Sequence, residues 1–123
     1  MIYSKPNALS YLKPNAQWAW IGDEYSGLKW LDSGTAPTES EIDAEVTRLN
    51  NAEPMRLLRI DRDARLTACD WIITMHKELG TNIPAAWKTY RQSLRDLPAS
   101  ASPSLDSYGD LNLTSVTWPT EPT

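Results

Sequence analysis

The chain has no phenylalanine, one cysteine and one histidine among its 123 residues. Cys69, standing alone, excludes an intramolecular disulfide framework and points to a reducing cytosol. Its apolar neighbours make it read as a small buried hydrophobe. One histidine, His76, and one cysteine cannot build a zinc site of ordinary composition within one chain, so no metal is expected. There is no Gly-x-Ser-x-Gly and no glycine-rich phosphate loop, so no cofactor and no catalytic residue is expected either. The carboxylate pairs Asp23/Glu24 and Asp61/Asp63 read as solvated turn and helix-surface groups. A glycosidase pair would have to face across a cleft. The longest aliphatic-aromatic run, Trp71-Ile72-Ile73, is too short to span a bilayer, and no membrane partner is expected. Met1 to Pro6 lacks the long apolar stretch of a signal peptide, which adds to the expectation of a soluble cytoplasmic protein.

The net charge is −4, unevenly spread. Residues 51–97 carry eight basic and six acidic side chains, while residues 98–123 carry three acidic and none basic. A mildly basic middle in an acidic chain is a poor nucleic-acid binder, which needs a concentrated positive surface.

What is abundant is tryptophan and tyrosine, six and five respectively. Both join a large apolar face to a polar handle, which suits small cores and half-wet interfaces alike. Arg56, Arg59, Arg62 and Arg65 recur every third residue, so on a helix the row winds around the axis. It reads as a solvated, salt-bridged surface, with Arg59–Asp63 and Asp61–Arg65 four apart. The alternative is a guanidinium ladder that docks on an acidic or carbonyl-rich partner.

The pattern gives an α+β fold. A small N-terminal antiparallel β-hairpin precedes two or three helices and an extended C-terminal tail. Three regions follow: a hairpin and capped-helix module over 1–52, a helical region over 53–98, and a flexible linker with a Trp-Pro tail over 99–123. Lys5-Pro6-Asn7-Ala8 and Lys13-Pro14-Asn15-Ala16 are each read as turns, with one helical turn between them. Gln17–Gly22 and Leu28–Asp32 alternate as strands, and Gly27 in the connection is expected to supply a positive φ. Thr38-Glu39-Ser40-Glu41 is a capping box, and Asn50-Asn51 a stop. A helix over 54–79, ~39 Å long, ends at Gly80, and either starts at Pro54 or joins the preceding helix through a kink there. Asn82-Ile83-Pro84 opens the last helix, with Trp87, Tyr90, Leu94 and Leu97 on one face and Pro98 at its end. Trp118 either folds back onto the helices or anchors in a partner's pocket.

Several of these residues, in order, resemble a known family. They are Arg62-Asp63, Leu66, Asp70-Trp71, Ala86-Trp87, Tyr90-Arg91-Gln92, Leu94 to Pro98, and Trp118-Pro119. The set is similar to the pattern of the phage tail assembly chaperones and covers about half the chain. Pro14 to Gln17, Gly22-Asp23, Tyr25 to Leu28, Trp30 to Asp32, Pro37 to Glu39 and Glu41-Ile42 resemble another module of phage tail genes. The resemblance implies a non-enzymatic helper in folding, trimerising or attaching a tail fibre or other tail or baseplate protein. It would work in the host cytoplasm, and an adaptor kept in the virion tail is the alternative. A homo- or hetero-oligomer matching a trimeric fibre is compatible with either role. Large interfaces are dominated by tryptophan and arginine. On that ground Trp18, Trp20 and Trp30 of the hairpin are candidate partner-binding residues. In the helices the candidates are Arg62, Trp71, Trp87, Tyr90, Arg91 and Arg95, with Trp118 in the tail. Strand addition by Leu111–Trp118 is one way such a tail would cover a fibre edge.

Overall fold

The computed structural model describes residues 2–123. Its elements are α1 (Lys5–Leu12), β1 (Trp18–Trp20), β2 (Leu28–Trp30), α2 (Glu39–Ala68), α3 (Asp70–Leu79) and α4 (Ala85–Ser100). Two 3-10 turns, Tyr25–Gly27 and Leu113–Ser115, punctuate the loops. This is the expected α+β arrangement, a two-stranded hairpin followed by three helices. The chain forms two compact units, Met1–Glu53 and Pro54–Thr123.

In the first unit, α1 is longer than the single turn expected. Ser4 caps it: its hydroxyl accepts from the Asn7 N–H, and the Asn7 amide oxygen accepts from the Ser4 N–H at 2.9 Å. Pro6 sits in the first turn, where no N–H is needed. Of the two similar segments, the first therefore starts a helix. Only the second is a turn, with Asn15 at φ 68°.

The strands are also shorter than their alternation implied. Trp18 pairs with Trp30 and Trp20 with Leu28, in antiparallel register. The Gln17 N–H leaves the ladder for the Asp32 carboxylate at 2.9 Å, and the Ser33 N–H bonds the other carboxylate oxygen at 2.8 Å. These donors, Gln17 first, hold the Asp32 carboxyl below its ordinary value of 3.8. Protonation weakens both bonds. Their contribution is thus complete above the ordinary value and lost as pH falls through the lowered one. The stability advantage of wild type over Asp32→Ala is expected to disappear on acidification, as followed by thermal melts of the hairpin's near-UV signal. An advantage constant with pH would refute this.

Two strands are marginal without cover. Leu9, Ile42 and Leu49 supply it, and Trp18, Trp20, Leu28 and Trp30 pack against them. Tyr3 is buried in the same cluster, and its hydroxyl donates to the buried Glu53 carboxylate at 2.8 Å. Thr38 caps α2 as expected, accepting from the Glu41 N–H at 3.2 Å.

The stop expected at Asn50-Asn51 does not occur. The helix α2 runs through Pro54, with residues 39–53 in the first unit and 54–68 in the second. An interior proline costs about 3 kcal/mol. Leu49 and Leu58 are buried on either side of it, each worth about 1.5–3 kcal/mol, enough to offset that cost.

In the second unit, the single helix expected over 54–79 breaks at Cys69, whose φ of −111° and ψ of 8° end the helical ladder. Gly80, at φ 68°, closes α3 as anticipated. Pro98 does not end α4, which continues to Ser100 before the Ala101 N–H bonds the Leu97 carbonyl. Its ring is accommodated in the last turn because Leu94 and Leu97 anchor the helix in the core. Beyond α4, Leu105 and Leu111 form an isolated antiparallel bridge, and Val116 is buried against Leu58 and Leu97.

Candidate protein-binding surface

The break at Cys69 organises the helical unit. Losing the helical ladder there leaves carbonyls that need other donors. The Leu66 carbonyl accepts from the Cys69 N–H at 3.2 Å and the Cys69 thiol at 3.4 Å. Its third donor is Arg91 Nη1, 3.0 Å away on α4. The same Nη1 donates to Cys69 Sγ at 2.9 Å, and Nη2 to Asp70 Oδ1 at 2.8 Å. Burial disfavours the Arg91 charge, but the bonds to Cys69 and Asp70 outweigh it and raise its pKa. One planar guanidinium thus joins α4 to the end of α2 and the start of α3.

Beside this clamp lies an open hollow of about 550 Å³, floored by Ile73 and rimmed by Lys88, Arg91, Gln92 and Arg95. Lys88, Arg91 and Arg95 share a face of α4 through the three- and four-residue spacings. Lys88 is exposed and has no ion pair among the described residues. Arg95 donates to Gln92, which donates on to Asp96. Trp71, one residue past Asp70, is 63% exposed. The other five tryptophans are half-buried.

The remaining candidates on the helices serve the fold. Trp87 meets Tyr90 edge-on at 5.8 Å, and Tyr90 is buried with Leu94 and Ile72. Burial first, and the Glu121 charge second, push the Tyr90 hydroxyl pKa up. Arg62 bonds Asp63 at 2.6 Å and the Arg95 carbonyl at 3.3 Å. Asp63 therefore pairs with its neighbour and not with Arg59, while the Asp61–Arg65 pair forms at 3.0 Å as expected. With Arg62 and Arg65 engaged inside the unit, the arginine row is not a free ladder.

Trp118 folds back. It packs against both clusters of the helical unit, and the Arg65 guanidinium lies 3.9 Å from its ring centroid. Its indole N–H is buried without an acceptor. Leu113–Ser115 is a 3-10 turn and Val116 is buried, so Leu111–Trp118 is not a free strand.

Trp18, Trp20 and Trp30 lie in the first unit and line its core. The Trp20 and Trp30 indoles donate to the Glu24 and Gly34 carbonyls at 3.0 and 3.2 Å, so their polar handles are satisfied.

Lys88 and Ile73 escaped sequence reading, although the spacing of Lys88, Arg91 and Arg95 on α4 was available to find the first. The ring contact of Arg65 carried no sequence signal, since 53 residues separate it from Trp118. Among the described residues no group of three or more His, Cys, Asp or Glu side chains could hold a metal ion. No described helix is long and apolar enough to cross a membrane.

Two comparisons return nothing: no curated protein and no solved structure matches the chain. A family model described as phage tail assembly chaperone protein matches residues 55–123, more than half of the sequence.

Proposed function

Because the chain belongs to the phage tail assembly chaperone family, we propose that it binds and protects a tail fibre or other tail or baseplate protein during folding, trimerisation or attachment. It does so in the host cytoplasm, without catalysis. The helical region 53–98 carries the client contact, with the tail 99–123 packed on it, and the hairpin module 1–52 serves as a second body. Trimeric fibres expose apolar surface and unpaired strand edges before they interlock, and such surfaces aggregate. A small protein that covers them in passing is enough.

The observation that carries this reading is the exposure of Trp71, a large aromatic side chain 63% open to solvent on α3. Tryptophan is among the residue types most enriched at interface hot spots. The exposed indole is therefore the first position at which to test for a partner.

The test is a tagged pull-down from infected cells read by mass spectrometry, with purified particles analysed alongside. A tail protein recovered from the lysate, with this chain absent from particles, supports a transient chaperone. The same partner with this chain retained in particles at fixed stoichiometry makes it an adaptor. Recovery of no tail protein refutes both. Trp71→Ala is expected to weaken recovery of the client at least tenfold while leaving the melting temperature unchanged, because an exposed side chain adds little to the fold. Undiminished recovery would remove Trp71 from the interface.

A further inference from the structure

The C-terminal segment is built as a separable piece. Its bonds close largely on themselves: Asp106 N–H to the Asp110 carbonyl at 2.7 Å, Asn112 N–H to the Ser104 carbonyl at 2.8 Å, and Ser115 N–H to the Asn112 carbonyl at 3.0 Å. Asp106 and Asn112 side chains cap the two small turns, accepting from Tyr108 and Thr114 N–H groups. What the segment offers the helices is side chains, chiefly Val116 and Trp118.

The fit of those side chains is incomplete. The Trp118 indole N–H is buried with no acceptor, so docking sacrifices a bond that water would supply. Hollows flank the segment on α4. One of about 360 Å³ is bounded by Leu97, Ser100, Trp118 and Pro119, and one of about 660 Å³ by Ala86, Tyr90, Pro119 and Pro122. Both hollows open to solvent along the trough that receives the segment. That trough nonetheless has specific features: an apolar seat of Leu58 and Leu97, and the Arg65 guanidinium poised over a ring.

We infer that the trough beneath residues 105–123 is a peptide-binding groove, and that this segment is an internal stand-in which a client displaces. The groove selects an extended stretch of the client with a branched aliphatic residue and an aromatic residue two positions later. Val116 and Trp118 display this pattern in the stand-in. The stand-in keeps the apolar seat dry when no client is present. A client whose ring fills the hollows, or whose polar atoms find partners, outcompetes it. The inference rests on the chaperone reading for the nature of the client, but its test does not require one.

The probe is a fluorescein-labelled peptide with the sequence of residues 111–123, titrated into the full-length chain and followed by anisotropy. Trp118→Ala in the chain frees the groove and is expected to tighten peptide binding at least tenfold over wild type. Adding Arg65→Ala to that variant is expected to reverse most of the gain, because the ring contact is lost. Val116→Thr, nearly isosteric and far milder, is expected to shift binding in the same direction by a smaller factor. It decides the matter should Trp118→Ala fail to fold. Peptide binding no tighter in either folded variant than in wild type would overturn the inference and make the segment a permanent part of the core. A client still captured in the pull-down after that result would leave the chaperone reading standing on the Trp71 surface.

Discussion

Arg91→Ala is expected to destabilise the helical unit by about 3 kcal/mol, since hydrogen bonds from a charged donor are worth about 1.5–3 kcal/mol each. The guanidinium is only 16% exposed and serves three acceptors on the segment where α2 gives way to α3. The Asp70 arm counts least, because that carboxylate is 58% exposed and screened by water. The Leu66 carbonyl and the Cys69 sulfur carry most of the effect, because removing Arg91 strips a charged donor from each. In a unit of this size such a loss corresponds to a fall in melting temperature of roughly 15 °C. Arg91→Lys keeps the charge but not the planar fork, and is expected to recover about half. Urea unfolding followed by far-UV circular dichroism measures both. An unchanged midpoint for Arg91→Ala would mean that the break at Cys69 holds its geometry unaided.

The other large effect is expected at Gly27. A Cβ there would stand 1.9 Å from the Ile21 carbonyl oxygen and 3.0 Å from its carbon. Both are backbone atoms, so no side chain can swing aside. Gly27 also closes the hairpin, accepting from the Ile21 N–H at 3.1 Å and donating to the Glu24 carbonyl at 2.9 Å. Gly27→Ala is therefore expected to cost about 3 kcal/mol or more and to unpair β1 from β2. Gly22→Ala is the contrast. Its φ is +79° but the space around it is open, so only backbone strain of about 1–2 kcal/mol applies. The near-UV signal of the Trp18–Trp20 pair, edge-on at 6.3 Å, should collapse in the first variant and persist in the second. Equal signals in the two would refute the close-approach argument.

Gly27 also shows how far sequence reading reaches. A glycine was required in that turn, and the alternation of Trp18, Trp20, Leu28 and Trp30 placed the hairpin around it. The reason for the glycine was different: a close backbone approach that no propensity records. The same holds for the helices. Thr38, Gly80 and the face of Trp87, Tyr90, Leu94 and Leu97 were legible because capping and periodicity are local. Pro98 was read as a boundary and is not, and at Pro54 a helix start and a kinked continuation were both open, of which the continuation is found. Whether a proline ends a helix depends on what its neighbours bury elsewhere in the chain. The break at Cys69 was invisible for a related reason, since its support comes from Arg91, 22 residues away. Of the candidate residues, Trp71 was named for its chemistry, yet its exposure belongs to the folded chain alone. Trp118 had two destinations, and only the tertiary structure separates them.

The unpaired indole of Trp118 has a spectroscopic consequence. A proton held in a hydrogen bond is deshielded, and the indole protons of Trp20 and Trp30 are so held. That of Trp118 is neither bonded nor in contact with water. In a proton–nitrogen correlation spectrum its resonance should lie upfield of theirs and exchange slowly with solvent. The chain thus carries its own isotopic meter: a single peak, readable without any label beyond nitrogen-15, whose position reports at every moment whether the C-terminal tryptophan is docked.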